Sequence, residues 1–369
     1  WQDIVFRKMY ITGATGALYD GASPDCSKDH EAIQLVHQAY GRSYQLPNLT
    51  AYNETCATIG FVLFNKRMLD ITAEVKYADI LELAFYNGIM STISLDGINF
   101  FYTNPLKVVD KPPFEMRWSR QREPYISCFC CPPNTVRMIA EASSFTYSIS
   151  EEGLYVHLYG GNAVDTQLAN GSQIKLRQQT NYPWDGTVDI TIEQAPADRA
   201  SLFLRIPGWV KEPRIQLNGE SVDETVRPHS YFKIYRRWRA GDHIQLELPM
   251  PIQLIEANPL VEEIRNQVAV RRGPIVYCLE SADLPTDVTL SDIAVRRNPK
   301  LLSRYDPNLL GGVAVLEGEA VHQIADPWQD TLYREVSKKE PKELTIRLIP
   351  YFAWGNRGQV EMAVWLPVY

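Results

Sequence analysis

Ser127-Cys128-Phe129-Cys130-Cys131-Pro132-Pro133-Asn134 decides how the rest of this chain reads, because it sets three of the six cysteines within four residues and then opens a helix. Two prolines fit the first turn of a helix, whose leading N–H groups have no intrahelical partner. The run from Asn134 through Ala142 continues with helical residues. Cys130 and Cys131 therefore stand just before a helix N-terminus, where the positive end of the macrodipole favours thiolate over thiol. Adjacent cysteines bridge poorly, since disulfide geometry strains an i,i+1 pair. Clustered thiolates call for a cation.

A partner for them lies upstream in Tyr52-Asn53-Glu54-Thr55-Cys56. Glu54 and Cys56 are two residues apart and cannot share a face in mid-helix. At a loop-to-helix junction both can converge on one ion. A helix is expected over 57–69, with Ile59, Val62, Leu63 and Met68 as its apolar positions. Glu54, Cys56, Cys130 and Cys131 would form a four-coordinate site of three sulfurs and one oxygen, for which zinc is the natural occupant. The competing reading is a set of buried free thiols, which behave as small core hydrophobes.

A chain of 369 residues, 45% hydrophobic and 22% charged, is long enough for two or three globular domains. A net charge of −7 argues against a nucleic-acid or anionic-membrane surface. Twenty tyrosines and eight tryptophans suit a sugar-binding cleft as well as they suit plain core packing. No run of eighteen apolar residues predicts a membrane span. With three cysteines assigned to the cluster and Cys128 beside it, Cys26 and Cys278 remain, which is not a disulfide scaffold. The six histidines show no metal-type spacing.

The chain reads as an α+β multidomain protein that changes character once. Over 1–150 helices are expected at 33–40, 57–69, 75–90 and 135–147, the third stopping near Gly88, with long loops between them. Over 151–250 the pattern turns to alternating strands, including 154–159, 188–192, 201–206 and 244–248, with hairpin-type turns at Asn218-Gly219 and Ala240-Gly241-Asp242. This predicts a β-sandwich. A second, mostly β domain with a return segment is expected over 251–369.

Glu54-Thr55-Cys56, the run Cys128 to Asn134, Phe101-Tyr102-Thr103-Asn104-Pro105-Leu106 and the closing Ile349-Pro350-Tyr351-Phe352-Ala353-Trp354-Gly355-Asn356-Arg357-Gly358 together resemble glycoside hydrolase family 127. The family's best-known members are β-L-arabinofuranosidases. The resemblance implies the later half of an (α/α)6 barrel followed by β-sandwich domains, with Trp1 entering mid-barrel. It implies that the first barrel half lies outside this chain, upstream or as a companion chain. It also implies a zinc ion held by Glu54, Cys56, Cys130 and Cys131, with Cys130 as nucleophile in a retaining hydrolysis. Glu82, Tyr102 and Cys128 match positions that contact substrate, though Glu82 alone would read as a solvated charge and the other two as packing. Trp118, between Arg117 and Arg120, would stack on sugar or pack in a loop.

One position departs from the family. Counting back from Glu54 puts Gln38 where the family has its general acid/base glutamate, and an amide cannot deliver a proton as a carboxylic acid does. Three accounts stay open. The acid comes from Glu31, His37 or the absent barrel half; or the substrate brings its own carboxylate, with Arg42 placed to recognise an acidic sugar; or catalysis is lost. The implied substrate is a plant-derived glycan, either a terminal β-L-arabinofuranose or an acidic or branched furanose of pectic rhamnogalacturonan II. A bacterial periplasm or cytoplasm would suit it. The alternative is a non-hydrolytic glycan-binding or structural zinc protein. Asn48-Leu49-Thr50, Asn53-Glu54-Thr55 and Asn170-Gly171-Ser172 match the glycosylation pattern by chance, since Asn53 would lie at the metal site.

Overall fold

The computed structural model describes residues 1–22, 36–112, 114–324, 331–336 and 339–369. Cys26, His30 and Glu31 lie outside the described residues. Among the described residues, four α-helices occupy the N-terminal part: α1 (Gln2–Arg7), α2 (Thr55–Thr72), α3 (Val75–Leu83) and α4 (Cys131–Glu141). Ile59, Val62 and Leu69 of α2 meet Tyr77, Ala78 and Leu81 of α3 and Met138 of α4 in one apolar core. None of the described helices is long and apolar enough to cross a membrane.

Two helical expectations need correction. Residues 36–40 form no helix: Val36 bridges Ala22, and Gln38 takes a left-handed φ of 58° that interrupts helical hydrogen bonding. Residues 33–35 of that stretch are outside the described residues. Gly88 does not stop the third helix. The backbone continues past α3 as a π-helix, Ala84–Ile89, and a 3-10 turn, Met90–Thr92. A Cβ at Gly88 would approach Thr58 Cγ2 to 2.9 Å, so the glycine serves close packing on α2. Asn87, in the widened turn, donates to Leu83 O and Pro274 O and accepts from Val276 N, tying this segment to the C-terminal sheet.

The sandwich pairs a four-stranded sheet (Ser230–Arg236, Ala200–Ile206, Gly153–Val156, Tyr147–Ser150) with a six-stranded one running from Asn162–Gln167 to Glu220–Ser221. Val188, Ile190 and Ile192 from one sheet face Leu202, Leu204 and Ile206 from the other, as period-2 alternation requires. Asn218 and Gly219, both at positive φ, close a hairpin between Arg214–Leu217 and Glu220–Ser221. Ala240-Gly241-Asp242 is not a hairpin turn. It carries the chain from Ser230–Arg236 in the first sheet to His243–Glu247 in the second, because Trp238 is buried between the sheets and donates to Ala200 O.

A ten-stranded sheet makes up the C-terminal part, with apolar clusters on both faces. Lys107–Val108 from the N-terminal part joins it by pairing with Met362–Ala363. Arg122 seals the same junction, lying over the rings of Phe101 and Trp354 and donating to Ser91 O and Trp354 O.

On the four-stranded sheet, outside the sandwich's apolar core, His157 bonds Ser148 Oγ (2.7 Å) and Tyr231 Oη (2.5 Å). Burial, assisted by the positive Arg205, pushes its pKa down to about 3. The unfolded imidazole takes up its proton near pH ~6.5 while the folded one stays neutral, so stability falls as pH drops from there toward 3. We expect His157→Gln to lessen the loss of denaturation midpoint between pH 6.5 and pH 4, read by urea unfolding at both values.

Candidate functional site

Two helix N-termini bring the cysteines and the carboxylate together. Glu54 is the N-cap of α2, and Cys130 is the N-cap of α4, with Cys131 its first residue. The approach to α2 is fixed by buried polar pairing. Asn53 and Asn104 each donate to the other's carbonyl, Thr55 N and Oγ1 donate to Tyr102 O, and Glu54 forms a β-bridge with Thr103. The motif 101–104 is thus the segment that aims Glu54. Asn48 and Asn53, two of the glycosylation-pattern positions, are buried.

One ligand atom from each of Glu54, Cys56, Cys130 and Cys131 lies within 4.8 Å of all the others. Cys56 Sγ is 3.6 Å from Cys131 Sγ, Cys130 Sγ is 3.7 Å from Cys131 Sγ, and Cys130 Sγ is 3.9 Å from Glu54 Oε1. These separations are far beyond a disulfide bond of about 2.05 Å. They match the sulfur–sulfur edge of about 3.8 Å that tetrahedral Zn–S bonds of about 2.3 Å would make. The donor set and spacing fit a zinc ion.

The protons of such a cluster cannot leave independently. Hydrogen bonding from Cys131, then from Asn134 and Cys130, lowers the Cys56 thiol to about 6 despite burial. Burial and then the Cys56 thiolate raise Cys130 to about 12, and contact with Cys56 raises Cys131 as well. Ionising one sulfur disfavours ionising its neighbours; a divalent ion is what would let all three ionise. Burial raises the Glu54 carboxyl, while Tyr102 and Cys130 draw it back down.

An aromatic wall stands against the cluster. Tyr102 stacks on Trp118 with ring centroids 3.7 Å apart, Trp118 Nε1 donates to Tyr52 Oη, and Trp118 N donates to Tyr19 Oη. Trp118 is buried, so it backs Tyr102 instead of presenting a free face. Cys128 is exposed with its Sγ 3.9 Å from Cys130 Sγ, beside the exposed, stacked rings of Tyr125 and Phe129. Residues that sequence reasoning gave no role are Tyr19, Tyr52 and Asn134, whose Nδ2 lies 3.0 Å from Cys56 Sγ. Asn134 was legible, being one turn beyond Cys130 on the same helix face; the two tyrosines carried no local signal.

Other predicted site residues lie in different settings. Gln38 is exposed and borders a small cavity with Gly16, Ala17, Ala57 and Phe61. His37 is also exposed. Arg42 is exposed at a polar cavity of about 560 Å³, shared with Tyr19, Asp20, Glu262 and Glu263. Glu82 is neither solvated nor among the cysteines' polar partners. Its carboxylate accepts from Arg205, from Tyr182 Oη at 2.5 Å and from Trp209 Nε1 at 2.9 Å, in the seam between α3 and the sandwich.

The family profiles described as "Beta-L-arabinofuranosidase, GH127 catalytic domain", "Beta-L-arabinofuranosidase, GH127 middle domain" and "Glycoside hydrolase family 127 C-terminal domain" match residues 1–144, 153–250 and 252–367. A non-reducing end beta-L-arabinofuranosidase of Bifidobacterium longum subsp. longum is 34% identical over 384 aligned positions, which cover 99% of this chain and 54% of that protein. A solved glycoside hydrolase superposes with TM-score 0.96 at 48% identity, over all of this chain and 61% of its own. A GH127 beta-L-arabinofuranosidase from Geobacillus stearothermophilus T6 gives TM-score 0.86 at 39% identity, over all of this chain and 56% of its own. The chain thus spans little more than half the length of these relatives.

Proposed function

The chain belongs to glycoside hydrolase family 127, and on that footing we propose that it is the thiolate-bearing part of a retaining glycosidase that releases a terminal furanose. The observation that carries this reading is the convergence of Glu54, Cys56, Cys130 and Cys131 at two helix N-termini. Residues 1–150 would supply the later half of an (α/α)6 barrel, 151–250 a sandwich domain and 251–369 a second β-rich domain. The remaining barrel half would come from the rest of a longer protein or from a companion chain.

Glu54, Cys56, Cys130 and Cys131 would hold zinc, which supplies the positive charge that keeps the thiols ionised. Cys130 is the reacting sulfur in this reading, because it faces the exposed side near Cys128 while Cys131 is fully buried. Its Sγ attacks the anomeric carbon as the bond to the leaving oxygen breaks, giving a thioglycosyl linkage. Water then adds at the same carbon and returns the sulfur, so the configuration is retained. Tyr102, pinned between Tyr52 and Trp118, would orient the sugar.

The leaving oxygen must gain a proton, and the Gln38 amide has none to give. An acidic furanose would bring its own protonated carboxyl to supply it, and Arg42 at its polar cavity would bind a separate carboxylate of an acidic glycan. A furanose of pectin with an acidic or branched setting is therefore the favoured substrate over plain β-L-arabinofuranose. The test is turnover by the full-length protein on both kinds of glycoside, with and without Gln38→Glu. Plain arabinofuranosides should gain about 10²-fold from the new acid, in line with general-acid catalysis, and acidic furanosides should gain nothing. Failure of wild type and variant on every glycoside would favour the second reading, a glycan-binding or structural zinc protein. Its support is that four protein donors close a structural zinc site and that Gln38 is not an acid.

A further inference from the structure

The three cysteines of the cluster do not have equal surroundings, and the differences originate in Pro132-Pro133-Asn134. An N-cap side chain ordinarily accepts from the second and third backbone N–H groups of its helix. For Cys130 those positions are Pro132 and Pro133, which have no N–H. Cys130 accordingly makes no capping hydrogen bond. Among the described residues no N–H reaches its sulfur, which meets the thiols of Cys56, Cys128 and Cys131 and Glu54 Oε1. The next residue, Asn134, directs its backbone N–H to Cys130 O and its side-chain Nδ2 to Cys56 Sγ at 3.0 Å. The one amide donor that α4 offers to a sulfur thus goes to Cys56.

A hydrogen bond to a ligating sulfur withdraws charge from it and fixes its orientation. We propose that Pro132, Pro133 and Asn134 act as positioning residues that select Cys130, and not Cys56, as the reactive thiolate: the prolines leave Cys130 without an N–H donor, and Asn134 quiets Cys56. This rests on the reading of Cys130 as nucleophile, but its consequences for sulfur reactivity are measurable without any sugar.

The experiment treats the zinc-loaded full-length protein with iodoacetamide and follows the label at each cysteine by mass spectrometry, alongside zinc release to a competing chelator. In wild type Cys130 should label faster than Cys56, with the exposed Cys128 counted separately. Asn134→Asp keeps the shape and removes the donor, and Asn134→Ala removes both. Each should raise Cys56 labelling relative to Cys130 and weaken zinc retention, by about 10-fold on the scale of outer-shell substitutions. Pro133→Ala restores an N–H below Cys130 in a residue well suited to the helix, and should slow Cys130 labelling several-fold without speeding Cys56. An unchanged Cys56-to-Cys130 ratio in the Asn134 variants, or an unchanged Cys130 rate in Pro133→Ala, would overturn the proposal. Should the Asn134 variants fail to fold, Pro133→Ala decides alone. A protein that shows these labelling shifts yet hydrolyses no glycoside would remove the enzymatic reading and leave the thiol hierarchy standing.

Discussion

Cys130→Ala is expected to lower turnover by about 10⁴-fold or more, the scale on which removal of a covalent nucleophile acts. The same substitution should leave the fold in place. Cys130 is only half-buried at the N-cap of α4, and its side chain makes no cap bond whose loss would unwind the helix. Glu54, Cys56 and Cys131 keep their positions through separate supports: the bridge to Thr103, the bond from Asn134 and burial against Tyr52, Tyr102 and Trp118. A circular-dichroism melt close to that of wild type, with turnover abolished, is the predicted combination. Turnover within 10-fold of wild type would move the chemistry to another residue.

The second large effect is on stability and lies away from the thiols. Arg205 is fully buried and donates to Asp79 Oδ1 at 2.7 Å, to Glu82 and to the carbonyl of His157. Asp79 also accepts from Gly208 N and pairs with His229 Nδ1 at 2.8 Å. One guanidinium thereby joins α3 to two strands of the sandwich. Removing one partner of such a pair leaves the others buried and uncompensated, so Arg205→Ala should cost about 3–5 kcal/mol. Arg205→Lys would keep the charge but lose the forked geometry, and should recover only part of that. Denaturant midpoints of the three proteins test this; an alanine variant as stable as wild type would mean that the network holds nothing together.

How much of this was legible in the sequence depends on how local each cause is. The start of α4 and the thiol cluster were readable because prolines, cysteines and a following helical run act within a few residues of one another. The Asn218-Gly219 hairpin was readable for the same reason. Gly88 misled because its role is contact with Thr58 on another helix, which no window of α3 contains. Ala240-Gly241-Asp242 has hairpin composition, yet Trp238 takes the chain across to the other sheet. Glu82 carries no mark in its own neighbourhood of the partner it meets, Arg205, which lies 123 residues away. Gln38 was legible as a departure only against the family pattern, and its left-handed backbone was not.

The central claim is that Cys130 is a metal-held thiolate. Anomalous diffraction from crystals of the full-length protein, collected on both sides of the zinc edge, tests it most directly. A single peak within about 2.3 Å of the sulfurs of Cys56, Cys130 and Cys131, and bonded to Glu54, is the predicted result. No peak at that position, or a Cys130 sulfur turned away from it, would contradict the claim.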